Sequence, residues 1–275
     1  MKLKLIVVLF FFFTGFYAQN NMVFLTYNIK LDYPKDGENS WTNRKHFMVR
    51  QLQFYEPDIF GVQEAMPNQM KDLDSLLTDY NFVGVGRDDG NNQGEYSAIF
   101  YKSNQFKVLN TSTFWLSETP KKVSMGWDAV CNRVCSYALF ENKNTNKQFY
   151  VFNTHFDHIG IEAREKSADL IISMVNKLTK PEDYIILTGD FNLSDNSRPI
   201  INLQNNFNDT NKSLKKNDSS YGTFNSFKLN FVSENRIDYV FEKNFKLIDS
   251  RHILVKTPSG RWASDHHPVL AKLKL

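Results

Sequence analysis

The sequence contains few cysteines: only Cys131 and Cys135 occur in 275 residues. Residues 133–140 are predicted to form a strand, and four strand residues span about 13 Å, which is too far for a disulfide bond. We therefore expect two reduced thiols, unless Cys131 lies on a turn that folds back. Two thiols are also too few to build a zinc site.

The chain also lacks a strong excess of charge of either sign. Its 33 Lys and Arg residues and 30 Asp and Glu residues give a formal net charge of +3. Lys2 and Lys4 lie in a predicted leader, and without them 31 basic residues face 30 acidic residues. Charge alone therefore gives no support for binding to nucleic acid.

Long apolar runs are missing except near the amino terminus. There a short basic start precedes an unbroken apolar run at residues 5–13, and the small residue Ala18 follows. Because the run is too short to span a bilayer, this pattern predicts a secretory signal peptide over residues 1–18. An uncleaved anchor is the alternative. We expect a secreted or periplasmic protein with no stable membrane insertion after the signal is cleaved.

Residues 19–275 show no internal repeat and no linker, so we expect one domain, acting as a monomer. Predicted strands outnumber predicted helices, and most helices lie between groups of strands. The strongest helix prediction covers residues 162–178, where the apolar residues keep helical spacing. Residues 205–220 are rich in Asn, Lys, Asp and Ser and predict a long surface loop. This order of elements favours a layered α/β domain.

A polar motif follows a strongly apolar predicted strand at residues 184–187. The next residues include Gly189, Asp190 and Asn192. Side chains two residues apart in an extended segment point the same way, so Asp190 and Asn192 should converge just past the end of a buried strand. Strand ends and the loops after them are where such folds usually carry their chemistry.

Polar side chains recur at the ends of other predicted strands. The full set is Asn28, Glu64, His155, Asp190, Asn192, Asp238, Asp265 and His266. Each residue alone has a structural explanation as a cap or turn former. Together they are rich in oxygen ligands, which suits Mg²⁺, Mn²⁺ or Ca²⁺, and their two histidines titrate near neutral pH. Phosphoester hydrolysis needs a metal on the phosphoryl oxygens, an oriented water and a stabilised leaving oxygen, and this set can provide all three.

Six short segments carry these residues in a recognisable order. They are Thr26-Tyr27-Asn28-Ile29, Gln63-Glu64, Asn153-Thr154-His155, Gly189-Asp190-Phe191-Asn192, Arg236-Ile237-Asp238-Tyr239 and Ser264-Asp265-His266-His267-Pro268. They resemble the motifs of the endonuclease/exonuclease/phosphatase superfamily, the DNase I-like metal-dependent phosphoesterases, and segments such as Gly94-Glu95-Tyr96 look like its small exported bacterial branch. The resemblance implies a four-layered α/β/β/α sandwich, with two mixed β-sheets packed face to face and helices outside.

The resemblance also implies a metal site and a carboxylate that acts on water. Glu64 would be the principal ligand of Mg²⁺, with Mn²⁺ or Ca²⁺ as alternatives, and Asn28 and Asp265 would assist it. Asp190 would orient or deprotonate the attacking water. Asn192 would hold a phosphate oxygen.

The same resemblance assigns roles to the two histidines and an arginine. His266, steered by Asp238, would contact the phosphoryl group or act as a base. His155, matched with Glu95, would be the acid for the leaving group. Arg133 occupies a position where the family can place a phosphate-binding arginine.

The expected function is hydrolysis of a phosphoester by a metal-activated water, as a phosphodiesterase, nuclease or phosphatase. The fold does not choose among nucleic acid, nucleotide, sugar phosphate and lipid head group as substrate. An exported binding protein that keeps the fold without catalysis is one alternative. A zinc site at His155, Asp157 and His158 is another, although no second dense cluster of ligands lies nearby in the sequence.

Overall fold

A computed structural model of the chain describes residues 21–212, 222–230 and 233–275. Two six-stranded β-sheets pack face to face, with helices on their outer faces. This arrangement confirms the four-layered α/β/β/α sandwich that the sequence predicts. The predicted signal peptide, residues 1–18, lies outside the described residues. Within the described ranges, no helix is both long and apolar enough to cross a bilayer.

The first sheet carries two of the four α-helices in the described part of the chain. Its strands are β1 (Asn21–Asn28), β2 (Ile59–Gln63), β3 (Tyr80–Val83), β4 (Ile99–Lys102), β11 (Lys246–His252) and β12 (Val269–Lys274). Their order across the sheet is β11-β12-β1-β2-β4-β3, with β1 and β2 parallel and the other neighbours antiparallel. Helices α1 (Trp41–Tyr55) and α2 (Pro67–Leu76) cover the outer face.

The second sheet carries the other two helices. Its strands are β5 (Phe106–Trp115), β6 (Val134–Asn142), β7 (Gln148–His155), β8 (Tyr184–Asp190), β9 (Asn208–Asp209) and β10 (Asp238–Lys243). Their order is β5-β6-β7-β8-β10-β9, and here β7 and β8 are the parallel pair. Helices α3 (Ile161–Leu178) and α4 (Arg198–Gln204) pack on the outer face.

Alternation along the strands assigns each side chain to a layer. In β1, Phe24 packs between the two sheets, whereas Leu25 and Tyr27 pack in the outer core with α1 and α2. In α3, Ala168 and Ile171 share one face and pack against the second sheet. Period two in the strands and helical spacing in α3 therefore build a core with one central and two outer layers.

The two parallel pairs bring polar strand ends to the same edge of the sandwich. Strand β1 ends at Asn28, β7 at His155 and β8 at Asp190. Strand β10 runs antiparallel to β8, and its first residue, Asp238, lies directly opposite Asp190. A hydrogen bond of 2.9 Å from Asn28 Nδ2 to Asp190 Oδ2 links the first sheet to the second at this edge.

A buried polar network fixes the two sheets beneath that edge. Nδ2 of Asn153 donates to the carbonyl oxygens of Val62 and Ala98, each at 2.9 Å. Its Oδ1 accepts a hydrogen bond of 2.6 Å from Nε2 of Gln63. Gly61 makes this approach possible, because a Cβ at that position would overlap the Asn153 amide. The network sets the register of one sheet on the other.

We expect Asn153→Ala to lower the free energy of unfolding by about 2–4 kcal/mol, because four buried groups, including Thr188 Oγ1, lose a hydrogen bond to its side chain. Urea denaturation measures the change. Asn144→Ala, at an exposed hairpin turn, is the matched control and should shift stability by less than about 0.5 kcal/mol. Equal stability of the two variants would contradict a structural role for the network.

The prediction of a surface loop at residues 205–220 is wrong for residues 208–210. Strand β9 pairs with β10, and Asp209 and Thr210 are buried. Arg236 anchors this segment, because its NH1 and NH2 donate to the two carboxylate oxygens of Asp209 at 2.9 and 2.7 Å. Residues 213–220 of the predicted loop lie outside the described part of the chain.

Both cysteines are free thiols, as the sequence predicts. Cys135 lies within β6 and is fully buried, and burial raises the pKa of its thiol. Cys131 precedes the strand and is half-buried.

Candidate active site

Asp190, the last residue of β8, is the centre of the site and is only 1% exposed. Its Oδ2 accepts the hydrogen bond from Asn28 Nδ2. The same oxygen lies 3.5 Å from Nε2 of His155 and 3.7 Å from Nε2 of His266. The ends of β1, β7 and β8 and the segment before β12 therefore meet at one carboxylate oxygen.

The surroundings of Asp190 change its acidity. Burial, together with the nearby carboxylate of Asp238, raises the pKa of Asp190 to about 7, although His266 and the Asn28 amide pull it down. A carboxyl group with a pKa near neutrality can take up a proton at the pH where most enzymes work, which is the property of a general base.

His266 and Asp238 form a buried pair beside Asp190. Nδ1 of His266 lies 2.9 Å from Oδ2 of Asp238, which fixes the orientation of the ring. Burial lowers the pKa of His266, but the carboxylates of Asp238 and Asp190 outweigh it and raise that pKa to about 10. The imidazole is therefore a cation near neutral pH, and its Nε2–H is able to donate a hydrogen bond.

Asp190, Asp238 and His266 also lie close enough to share a metal ion, with ligand atoms within 4.8 Å of one another. However, Nδ1 of His266 is paired with Asp238, and its raised pKa keeps Nε2 protonated. A histidine that binds metal must offer an unprotonated nitrogen. This trio therefore suits proton handling better than metal binding.

A second pair of carboxylates, Glu64 and Asp265, faces a common point. Nζ of Lys30 lies 3.9 Å from Glu64 Oε2 and 3.9 Å from Asp265 Oδ2, so the two side chains already flank one cationic group. Nδ2 of Asn28 donates to Glu64 Oε1 at 3.0 Å. The carboxylate oxygens of Glu64 and Asp265 fit Mg²⁺, Mn²⁺ or Ca²⁺, whereas Asn28 presents its amide nitrogen to Glu64 and its Oδ1 accepts from the Lys30 N–H at 3.0 Å.

The two carboxylates differ in acidity. Burial works to raise the pKa of Glu64, but Lys30 and the hydrogen bond from the Leu31 amide outweigh it and hold that pKa below its usual value. Burial raises the pKa of Asp265, and the charge of Glu64 adds to the effect. Glu64 is thus the carboxylate that is already ionised and best suited to bind a cation.

Strained backbone is found in the same region. Lys30, Glu64 and Asn192 have φ angles of 58°, 62° and 51°, although none of them is glycine. Left-handed backbone is uncommon for such residues and persists where the surrounding structure holds it in place. All three residues line the cleft described below, which is consistent with a functional constraint there.

Asn192 and His155 are held together on the far side of Asp190. Asn192 donates from its backbone N–H to Asp190 Oδ1 at 2.9 Å and from Nδ2 to the Phe156 carbonyl at 3.0 Å. Its Nδ2 lies 3.1 Å from Nε2 of His155. Burial lowers the pKa of His155 well below its ordinary value, and the charge of Arg133 lowers it further, so the ring is neutral.

Glu95 does not hydrogen-bond to His155, with which the resemblance paired it. Its Oε2 lies 4.0 Å from His155 Nδ1, and that nitrogen is buried without a partner. Glu95 pairs with Arg87 instead, whose NH1 lies 2.7 Å from the same oxygen. Arg133 donates from Nε to Asp157 at 3.3 Å.

A cleft of about 400 Å³ collects these groups. Eight of the ten predicted site residues line it, and the other two, Asn28 and Asp238, contact lining residues from behind. A second depression of about 320 Å³ lies between α3 and α4, but none of its lining residues is a histidine. The first cleft is therefore the candidate active site.

Two basic residues that line the cleft, Lys30 and Arg87, are missing from the predicted site residues. Lys30 stands two residues after Asn28, so its position just beyond the end of β1 could have placed it in the cleft. Arg87 is brought to Glu95 by a hairpin, in which the Arg87 N–H donates to the Glu95 carbonyl at 3.1 Å. In the sequence, only the glycines at positions 86, 90 and 94 indicate this hairpin.

The layered fold and a cleft of acidic and histidine side chains at one edge define a class of protein. Residues 25–266 match the Endonuclease/Exonuclease/phosphatase family, and the chain belongs to it. Members of this family include phosphatases and nucleases.

Solved structures of this family include close matches from Bacteroides. A mannosyl-6-phosphatase of Bacteroides thetaiotaomicron is 34% identical, with a TM-score of 0.89 over 92% of this chain and 100% of that chain. A family protein from Bacteroides vulgatus is 37% identical, with a TM-score of 0.87 over 94% of this chain and 100% of that chain.

Two curated relatives match this chain over different shares of their own length. The mimivirus protein L388 is 29% identical over 73% of this chain and 79% of its own length. Human Nocturnin is 23% identical over 82% of this chain, and the match spans only 56% of Nocturnin.

Proposed function

We propose that this protein is a divalent-metal-dependent phosphoester hydrolase that uses an activated water. The observation that carries the proposal is the position of Asp190, a buried carboxylate that meets Asn28, His155 and His266 at one oxygen. A general base, a cationic hydrogen-bond donor and a cation-binding pair of carboxylates then face one cleft. Phosphoryl transfer depends mainly on such positioning and charge stabilisation.

Glu64 and Asp265 would hold the metal ion, and Asn28 would assist by positioning Glu64. When bound, Mg²⁺ supplies positive charge to the phosphoryl oxygens. The Glu64 carboxylate is fixed for this task by the Asn28 amide and the Leu31 N–H, at 3.0 Å each.

Asp190 orients the attacking water and takes its proton. Its low exposure keeps bulk water away, and its raised pKa makes it a stronger base than an ordinary aspartate. Asn192, held by Asp190 and by the Phe156 carbonyl, is placed to donate its side-chain amide to a phosphate oxygen.

The two histidines take different roles. His266, a cation held by Asp238, donates from Nε2 to a phosphoryl oxygen rather than acting as a base. His155 is neutral, which argues against the acid role that the resemblance assigned to it. Its Nε2 lies 3.5 Å from Asp190 Oδ2 and 3.1 Å from Asn192 Nδ2, where it can accept a hydrogen bond from Asn192 and position that amide.

The substrate is an ester of phosphate, and candidates are nucleic acid, nucleotide, sugar phosphate and lipid head group. The likeness to a mannosyl-6-phosphatase supports a sugar phosphate among them. We also propose that the protein is exported through the predicted signal over residues 1–18 and acts as a monomer.

The alternative is a binding protein that keeps the fold without turnover. To separate the two, residues 19–275 are incubated with Mg²⁺ and a chromogenic phosphate monoester or diester. We expect release of the chromophore from at least one ester. A folded protein that binds Mg²⁺, yet turns over neither these esters nor a panel of nucleic acids and phosphosugars, would favour the binding protein.

A further inference from the structure

We infer that the cleft is built for a phosphomonoester and that Arg87 and Arg133 select it. This inference rests on the proposed function and specifies its substrate class. Both arginines line the cleft, on the wall that also carries His155 and His158. The carboxylate pair of Glu64 and Asp265, which follows β2 and precedes β12, lines the same cleft.

The wall is fixed by a tight hairpin at residues 86–95. Its backbone is closed by hydrogen bonds from Arg87 N–H to the Glu95 carbonyl and from Asp88 N–H to the Gln93 carbonyl, at 3.1 and 3.0 Å. Gly86 has no room for a side chain, because a Cβ would overlap the Gln93 backbone. Nε1 of Trp115 donates to the Arg87 carbonyl at 2.8 Å and ties the hairpin to β5. The position of Arg87 is therefore set before any ligand binds.

Each arginine keeps unused hydrogen-bonding capacity. NH1 of Arg87 is paired with Glu95, but its buried Nε makes no hydrogen bond and has only a distant ionic neighbour, Asp88 Oδ1 at 3.9 Å. Nε of Arg133 donates to Asp157, and its NH2 lies 2.9 Å from Nδ1 of His158, but its NH1 is buried without a partner. Arg133 is 4% exposed. Buried guanidinium N–H groups without partners are costly, and an anionic oxygen is the acceptor that satisfies them best.

The count of phosphate oxygens decides which ester fits. A monoester has three oxygens without an organic group and carries up to two negative charges, whereas a diester has two such oxygens and one charge. The metal ion that Glu64 and Asp265 would hold accounts for one oxygen, and the donors Asn192 and His266 account for a second. The third would meet the arginine wall, and the planar guanidinium fork suits it. In a diester, that oxygen carries a second organic group and no charge, so it gives the arginines no anionic acceptor.

Hydrolysis of the monoester needs water as its only co-reactant. The water oxygen bonds to phosphorus, one of its protons passes to Asp190, and the bond from phosphorus to the ester oxygen breaks. The departing oxygen is protonated by solvent, so the products are inorganic phosphate and an alcohol.

The test compares 4-nitrophenyl phosphate with methyl 4-nitrophenyl phosphate, which share a leaving group and differ in one ester bond. With Mg²⁺ present, we expect the protein to hydrolyse the monoester with the higher kcat/KM. Arg87→Gln should lower kcat/KM for the monoester about ten- to hundredfold, because one charge-assisted pair is lost, and should change that for the diester by less than about threefold. Arg133→Gln should act in the same direction.

Arg251→Gln, at an exposed position on β11, is the matched control and should leave both rates unchanged. Thermal unfolding identifies any variant that fails to fold. If Arg133→Gln does not fold, Arg87→Gln still tests the inference, because Arg87 is the more exposed of the two arginines. Hydrolysis of the diester at an equal or higher kcat/KM, or an equal loss on both esters in Arg87→Gln, would overturn the inference and leave the proposed function standing. If the folded protein hydrolysed neither ester and none of the nucleic acids and phosphosugars in the panel, both the inference and the proposed function would be wrong.

Discussion

Replacing Asp190 by asparagine is expected to reduce kcat for phosphoester hydrolysis by about 10³-fold. Asparagine keeps the size of the side chain and an oxygen that can accept the hydrogen bond from Asn28, but it cannot take a proton from water. Because the substrate is held by other groups of the cleft, KM should stay within about threefold of its starting value. Steady-state kinetics on a chromogenic ester measures both constants.

Asp249→Asn is the control for this variant, since Asp249 lies on β11 and its side chain is 48% exposed. It should leave kcat unchanged. If Asp190→Asn folded normally and kept its rate within about threefold of the starting protein, Asp190 would not be the base.

The second large effect is expected on metal binding. Glu64→Gln should weaken the affinity for Mn²⁺ or Mg²⁺ by more than about 100-fold, the upper end for residues that only support a metal ligand. One of the two carboxylates that flank the cation position loses its charge, while the glutamine oxygen can still accept a hydrogen bond from Leu31 N–H or Asn28 Nδ2. Isothermal titration calorimetry measures the affinity directly, and turnover at a fixed metal concentration should fall with it.

Glu162→Gln, at an exposed position in the first turn of α3, should bind metal as the starting protein does. An unchanged affinity in Glu64→Gln would place the metal elsewhere, and the trio of Asp190, Asp238 and His266 is the other cluster of suitable ligands in the described part of the chain.

Much of the cleft could be predicted because strand ends are visible in a sequence. Apolar runs that stop at Asn28, His155 and Asp190 mark positions where buried strands end, and parallel pairing brings such ends to one edge. The pairing of Asp238 with Asp190 could not be predicted from the strand pattern, because an antiparallel register depends on which strands become neighbours. The family resemblance predicted only that Asp238 steers His266.

Contacts between loops could not be predicted. Glu95 pairs with Arg87 rather than His155 because a short hairpin places the two side chains next to each other, and periodicity says nothing about side chains in turns. The polar stretch before residue 213 was predicted as surface for a similar reason. Its composition is that of a loop, but Asp209 is buried by its bidentate ion pair with Arg236, a partner distant in sequence.

The central claim is that hydrolysis in this cleft depends on a divalent metal. The most direct test strips the protein with EDTA, removes the chelator, and follows phosphate release from a phosphate ester before and after Mg²⁺ is added. The account predicts that turnover falls below about 1% of its starting value and returns with Mg²⁺. Full turnover by the stripped protein would contradict it.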